Sequence, residues 1–186
     1  MVRDAEDTKR RLLEAAASEF AERGIAGARI DRIAAAAQAN KALIYSYFGN
    51  KEALFDAVFN ALVVDTVHDV PIDPDDLAGY AARLFDRNLS HPQAFRLAIW
   101  HSLERGGSTL PEAVVAAHRD KVAAIAKAQR DGRVSDRFPA AELMVLVTGL
   151  SVLGAPDFAM NRSGDIAQRR RTVVEAVRML TKGEIS

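Results

Sequence analysis

The 186-residue chain contains no cysteine. Disulfides, thiolate metal sites and thiol catalysis are therefore excluded, and the composition suits a reducing compartment. No sign of charge prevails either: 25 Lys and Arg stand against 25 Asp and Glu, for a formal net charge of zero. Any affinity for a polyanion must then come from the distribution of charge and not from its sum. Long hydrophobic runs are also missing. The most apolar stretch, 143–155, falls well short of the roughly 20 residues of a membrane span and suits a buried helix. The N-terminus, Met-Val-Arg-Asp-Ala-Glu-Asp, is polar and has no apolar signal core behind it. A cytoplasmic chain without membrane attachment is expected.

Signals for catalysis are equally sparse. The four histidines, His68, His91, His101 and His118, are scattered without metal-ligand spacing. There is no glycine-rich phosphate loop and no Ser–His–acid order beyond chance. Glu104 lies on the same helical face as His101, which is ordinary surface spacing. Neither an enzyme nor a bound cofactor is expected. Strand-like alternation, internal repeats and low-complexity tracts are absent too.

What remains is helical. A hydrophobic fraction of 49% with 27% charged residues describes a globular chain with a sizeable core. Leu13, Ala17, Phe20, Ala21 and Gly24 recur at intervals of three and four and predict a first helix that stops near Gly24. Ile30, Ile33, Ala34 and Ala37 predict a short second helix, and Ile44 and Phe48 lie one turn apart on a third. Asn50 suits the cap of a fourth, with the stripe Leu54, Val58, Ala61 and Leu62 widened by Phe55 and Phe59.

Pro71-Ile72-Asp73-Pro74 interrupts the pattern. Asp73 reads as an N-cap with Pro74 at the first helical position, before the stripe Leu77, Tyr80, Ala81, Leu84 and Phe85. A sixth helix spans 94–104 and is apolar on several sides, which predicts a central position. Thr109 to Glu112 has capping-box spacing ahead of a helix carrying Val115, His118, Val122 and Ile125, ended by Asp131-Gly132. Pro139 opens an almost wholly apolar helix. Ser163-Gly-Asp165 opens the last, with Ile166, Val173, Val177 and Leu180. The reading is all-α, about nine helices.

The second and third helices have the form of a helix-turn-helix, in which one helix supports another that enters the major groove. Ile33, Ala34 and Ala37 would face the core, with Ile44 and Phe48 anchoring the recognition helix. Lys41, Ala42, Leu43, Tyr45 and Ser46 are then left to face DNA, and Asn40 suits the cap. Between Arg23 and Lys51 there are five basic residues, Arg23, Arg29, Arg32, Lys41 and Lys51, against Asp31 alone. A local basic face of this kind can grip phosphate on a neutral protein. The same pattern also describes an ordinary helical hairpin in a bundle, and charge clusters are commonly solvated helix faces.

The residues 11–24 (RLLEAAASEFAERG), Ile33 to Ala37, Leu43-Ile-Tyr-Ser-Tyr-Phe48 and Asn50-Lys-Glu-Ala-Leu-Phe55 together resemble the N-terminal domain of the tetracycline-repressor (TetR) family. The resemblance covers about residues 8–58 without gaps. It implies a DNA-binding domain over 1–50 and an effector-binding and dimerisation domain over 51–186. The function it implies is a dimeric repressor on a palindromic operator of double-stranded DNA, released by a small-molecule effector that is partly apolar. Tyr47 and Lys51 match positions that grip phosphate, and Lys41, Leu43 and Tyr45 match positions at the groove or its backbone.

Several positions depart from the family pattern. Gln38 stands where a turn glycine is usual, Ala42 replaces a glycine, and Leu43 replaces a threonine and suggests contact with a thymine methyl. Arg29 replaces a hydroxyl cap and could bind phosphate instead. Those departures leave open a helical module that has lost DNA recognition. The resemblance also implies an effector pocket among the fourth to eighth helices, for which Phe59, Tyr80, Phe85, Phe95, Trp100 and Met144 are candidate lining residues and His101 and His118 polar handles. Aromatics at this spacing equally suit a core. Leu146, Leu150, Leu153, Val173, Val177 and Leu180 fall where the family's two dimerising helices lie, although they could also complete a monomer core.

Overall fold

The computed structural model describes residues 2–105, 112–158 and 165–182, whose regular structure is all helix, with no strand among them. Nine α-helices follow in order: α1 Val2–Gly27, α2 Ile30–Ala36, α3 Lys41–Phe48, α4 Lys51–Asp69, α5 Leu77–Ser90, α6 Pro92–Arg105, α7 Glu112–Arg130, α8 Ala140–Ser151 and α9 Ile166–Thr181. Short 3-10 turns at Pro74–Asp76 and Val152–Gly154 precede α5 and follow α8. The capping-box segment Thr109 to Pro111 and Ser163-Gly164 lie outside the described residues.

The chain divides into two compact units, Met1–Asp65 with Gln93–Pro111, and Thr66–Pro92 with Glu112–Ser186. The division differs from the boundary expected at residue 50. It falls inside α4 and assigns α6 to the N-terminal unit, because a helix joins whichever core its apolar side chains enter.

In the first unit the core is built from Leu12, Ala16 and Phe20 of α1, Ile30, Ile33 and Ala34 of α2, Ile44 of α3, and Leu54, Phe55, Val58 and Phe59 of α4. Phe20 meets Phe55 edge to face at 5.2 Å, the favoured geometry for an aromatic pair. Phe20, Ala21 and Gly24 of the stripe read in sequence are buried, but in the first half of α1 the buried residues are Leu12 and Ala16, with Leu13 and Ala17 half-buried beside them. Both settings are apolar at helical spacing, so periodicity alone did not separate them. α6 is less central than its composition suggested. Leu97 and His101 are buried, whereas Leu103 is 69% exposed.

In the second unit α5 packs against α8 and α9. Its whole predicted stripe, Leu77, Tyr80, Ala81, Leu84 and Phe85, is buried. Ile125 and Ala128 of α7, Leu143, Met144 and Val147 of α8, and Val173 and Val177 of α9 complete this core. α8 is not the enclosed helix that its apolarity predicted. One face is buried while Val145 on the other is 57% exposed. On α7 the forward part of the expected stripe, Val115 and His118, is exposed as well. No helix among the described residues is long and apolar enough to cross a membrane.

Candidate nucleic-acid interface

The turn between α2 and α3 is built on a residue that resists it. Gln38 has φ 51°, a left-handed conformation that glycine adopts at no steric cost. It closes α2 in a Schellman arrangement, Ala39 N–H donating to Ala34 O at 3.0 Å and Gln38 N–H to Ala35 O at 3.1 Å. The turn survives the missing glycine and carries strain instead. Gln38→Gly is therefore expected to stabilise the first unit by about 0.5–1 kcal/mol, because relief of the left-handed strain exceeds the added chain entropy. Thermal unfolding measures it, and a lowered midpoint would contradict the strain argument.

Asn40 then starts α3, its Oδ1 accepting from Ala42 N–H at 2.8 Å. Asn50 does the same for α4 through Ala53 N–H at 2.7 Å. Within α3, Ile44 is the buried residue, and Phe48 is half-buried beside Tyr47, their rings edge to face at 6.1 Å. Anchored this way, the helix exposes Lys41, Ala42, Tyr45 and Ser46, while Leu43, Tyr47 and Lys51 are half-buried. The expected groove-facing set thus shares one short helix and the start of the next.

The charges are less free than the sequence count suggested. Lys41 Nζ lies 2.8 Å from Asp31 Oδ1, and this hydrogen bond raises its pKa further. Arg23 pairs with Glu22 and approaches Glu19, and Arg32 is bound by Glu19. Arg29 and Lys51 are left without an ion-paired carboxylate among the described residues. Lys51 Nζ instead lies 3.4 Å from both Ala26 O and Ala28 O, at the carbonyl end of α1. Its charge is met there by backbone carbonyl dipoles alone.

Arg29 offers no side-chain cap to α2, as its chemistry requires. The cap comes from a residue that sequence reading missed. Glu19 Oε1, on α1, accepts from Arg29 N–H at 3.0 Å and from Arg32 Nε at 2.8 Å and Nη2 at 2.5 Å. Those bonds, led by the Arg32 guanidinium, hold the Glu19 carboxyl below its usual pKa against the opposing effect of burial. No local spacing announces this contact, since Glu19 lies on the preceding helix.

The residues proposed for an effector pocket separate between the two units. Phe59 and His101 belong to the first, buried and stacked at 4.7 Å with planes 8° apart. Phe95 is half-buried on the same helix as His101. Trp100 is turned to α1, where its indole N–H donates to Ala21 O at 3.3 Å, so this polar atom is already engaged. Tyr80, Phe85 and Met144 lie in the core of the second unit, and His118 is exposed.

The dimerisation candidates also divide. Val173 and Val177 are enclosed by their own unit, which corrects their reading as residues facing a partner; α9 packs on α5 through them. Leu150, Leu153 and Leu180 are half-buried, and Leu146 is exposed.

A capped helix-turn-helix with an exposed recognition helix, joined in one chain to a second helical unit, defines a helix-turn-helix transcription regulator. The comparisons make the family specific. Residues 12–58 match the family model described as bacterial regulatory proteins, tetR family, and residues 76–179 match that of the tetracyclin repressor-like C-terminal domain. The chain is 48% identical over 151 residues to the HTH-type transcriptional repressor SCO4008 of Streptomyces coelicolor, covering 80% of this chain and 79% of that protein. Its fold resembles the crystal structure of SCO4942 from the same species, with TM-score 0.81, 32% identity, and coverage of 94% and 98%. It also resembles AibR, solved with isovaleryl coenzyme A and operator DNA, with TM-score 0.65, 19% identity, and coverage of 91% and 97%. The chain belongs to the TetR family of transcription regulators.

Proposed function

We propose that the protein is a repressor that binds a palindromic operator as a homodimer and is released by a partly apolar small molecule. The observation carrying the DNA half is the recognition helix itself. It is fixed from below by Ile44 and capped by Asn40, with Lys41, Tyr45 and Ser46 exposed. Arg29 and Lys51 flank it as phosphate contacts that position the helix, and Leu43 reads a thymine methyl.

Dimerisation is assigned to the outer faces of α8 and α9. Val145, Leu146, Ile166 and Met179 are large apolar side chains left in solvent there. They extend the expected set Leu146, Leu150, Leu153 and Leu180. Two-fold pairing would present two recognition helices to related half-sites. AibR, of the same fold, is a precedent for one protein holding both a ligand and operator DNA. For the effector site we retain the stacked pair Phe59 and His101 together with half-buried Phe95, a set that suits a ligand with an apolar, partly aromatic body.

Selection from a randomised DNA pool tests this reading, and a palindromic site is the expected outcome. No enrichment at low salt would refute it. On the recovered site, Lys51→Ala is expected to weaken all sequences alike and to reduce the salt slope by about one. Substitution of Leu43 should instead change the preferred bases; a uniform loss there would remove Leu43 from the groove.

A further inference from the structure

α1 is interrupted at Gly24, whose φ of 71° and ψ of 177° are not helical. In an unbroken helix Ile25 N–H would donate to Ala21 O, and a break at residue 24 leaves both groups in need of new partners. Both are met from α6. Glu104 Oε1 accepts from Ile25 N–H and its Oε2 from Ala26 N–H, each at 2.8 Å, while Trp100 Nε1 donates to Ala21 O. Trp100 and Glu104 are four residues apart, so one face of α6 supplies the donor and the acceptor. A Cβ at Gly24 would lie 2.4 Å from Glu104 Oε1 and 2.9 Å from Trp100 Cε3, so the clasp closes only over a glycine.

The turn so capped is the one that holds Lys51. Its N–H groups are bound by Glu104, and its carbonyls at Ala26 and Ala28 receive Lys51 Nζ. The same turn leads directly into Arg29 at the start of α2. We infer that Glu104 is a positioning residue for DNA binding: through the 25–28 turn it sets the place of Lys51 and Arg29 relative to the recognition helix. The inference rests on the DNA-binding reading above. It assigns a role in that interface to a side chain almost 80 residues downstream, in a helix that forms part of the first unit.

The sign of one measurement separates this role from simple electrostatics. Removing an acidic side chain near a DNA-binding face should strengthen binding to DNA by relieving repulsion. Glu104→Gln removes the charge and keeps the length, yet is expected to weaken binding, and Glu104→Ala to weaken it about tenfold, equivalent to about 1.4 kcal/mol. Because Glu104 acts through the turn holding Lys51, the double variant with Lys51→Ala should bind little worse than Lys51→Ala alone. Amide exchange at Ile25 and Ala26 should accelerate in Glu104→Gln, which checks the clasp without DNA and does not require the alanine variant to fold.

Unchanged or increased DNA affinity in Glu104→Gln, fully additive losses, or unchanged exchange at those two amides would each overturn the inference. Wild-type protein that binds no DNA would instead refute the functional reading. In that case exchange at Ile25 and Ala26 still decides whether the clasp exists.

Discussion

Replacing Glu19 by alanine is expected to destabilise the DNA-binding unit by about 2 kcal/mol and to weaken DNA binding beyond that of any single surface charge. Its carboxylate is 11% exposed and serves two donors at once, the first backbone N–H of the α2 boundary and the Arg32 guanidinium. Loss of the carboxylate leaves α2 uncapped at Arg29, which cannot cap for itself. Half-exposed Arg32 can rehydrate, which keeps the cost below that of breaking a fully buried pair.

The same contact sets an acid limit. The folded pKa of Glu19 is depressed, so its contribution is fully present above the unfolded value of about 4.3 and is lost as pH falls toward the folded one. Below about pH 4.3 wild-type protein should therefore lose stability more steeply than Glu19→Gln, which has no proton to gain. Denaturant unfolding across pH 3 to 6 measures the two slopes. Equal slopes would show that the carboxylate charge contributes nothing to holding α2.

Glu19 and Glu104 also show where sequence reading ends. Features set within one turn of helix were legible: the caps Asn40, Asn50 and Asp73, the stripe of α5, the buried side of α2, and the anchor Ile44. Each depends on neighbours three or four residues away, which spacing displays. The two glutamates act across 10 and 78–79 residues, and nothing in the intervening spacing encodes the meeting.

Charge behaved in the same way. Arg23, Arg32 and Lys41 counted as a basic face in the sequence, but carboxylates bind all three: Arg32 and Lys41 from the preceding helix, Arg23 from within α1. Helices that are apolar around much of their circumference were the other blind spot. α8 and α6 read as buried because composition alone does not say which face a neighbour covers, and each leaves large apolar residues in solvent. For α9 the error was opposite, with Val173 and Val177 consumed by their own core before any partner could use them. The local geometry of residues 40–51, two caps and one buried anchor, was legible because each part depends on near neighbours. Its supports were not.

Two glycines, one in α8 and one in the 3-10 turn that follows it, are expected to respond oppositely to the same methyl group. At Gly154 a Cβ would lie 2.2 Å from the carbonyl oxygen of Phe85 and 2.9 Å from its carbonyl carbon. Those are backbone atoms of α5, the helix against which α8 and α9 pack, so they cannot swing aside as a side chain would. The approach is pinned further by Asn88 Nδ2, which donates to Ser151 O at 3.0 Å across the same contact. Gly154→Ala must therefore push the 3-10 turn off α5 and is expected to cost about 3 kcal/mol, lowering the unfolding midpoint by roughly 6–12 °C for a chain of this size.

Gly149 lies on the exposed face of α8 with nothing within 4 Å of a Cβ. Gly149→Ala should stabilise the isolated chain by up to about 1 kcal/mol, since alanine is the better helix former. If α8 is where two copies meet, that methyl enters the seam, and dimer dissociation measured by sedimentation should weaken while the fold strengthens. A tighter or unchanged dimer would place the contact elsewhere than around Gly149. Unaltered stability in Gly154→Ala would show that the close approach to Phe85 is not what holds the second unit together.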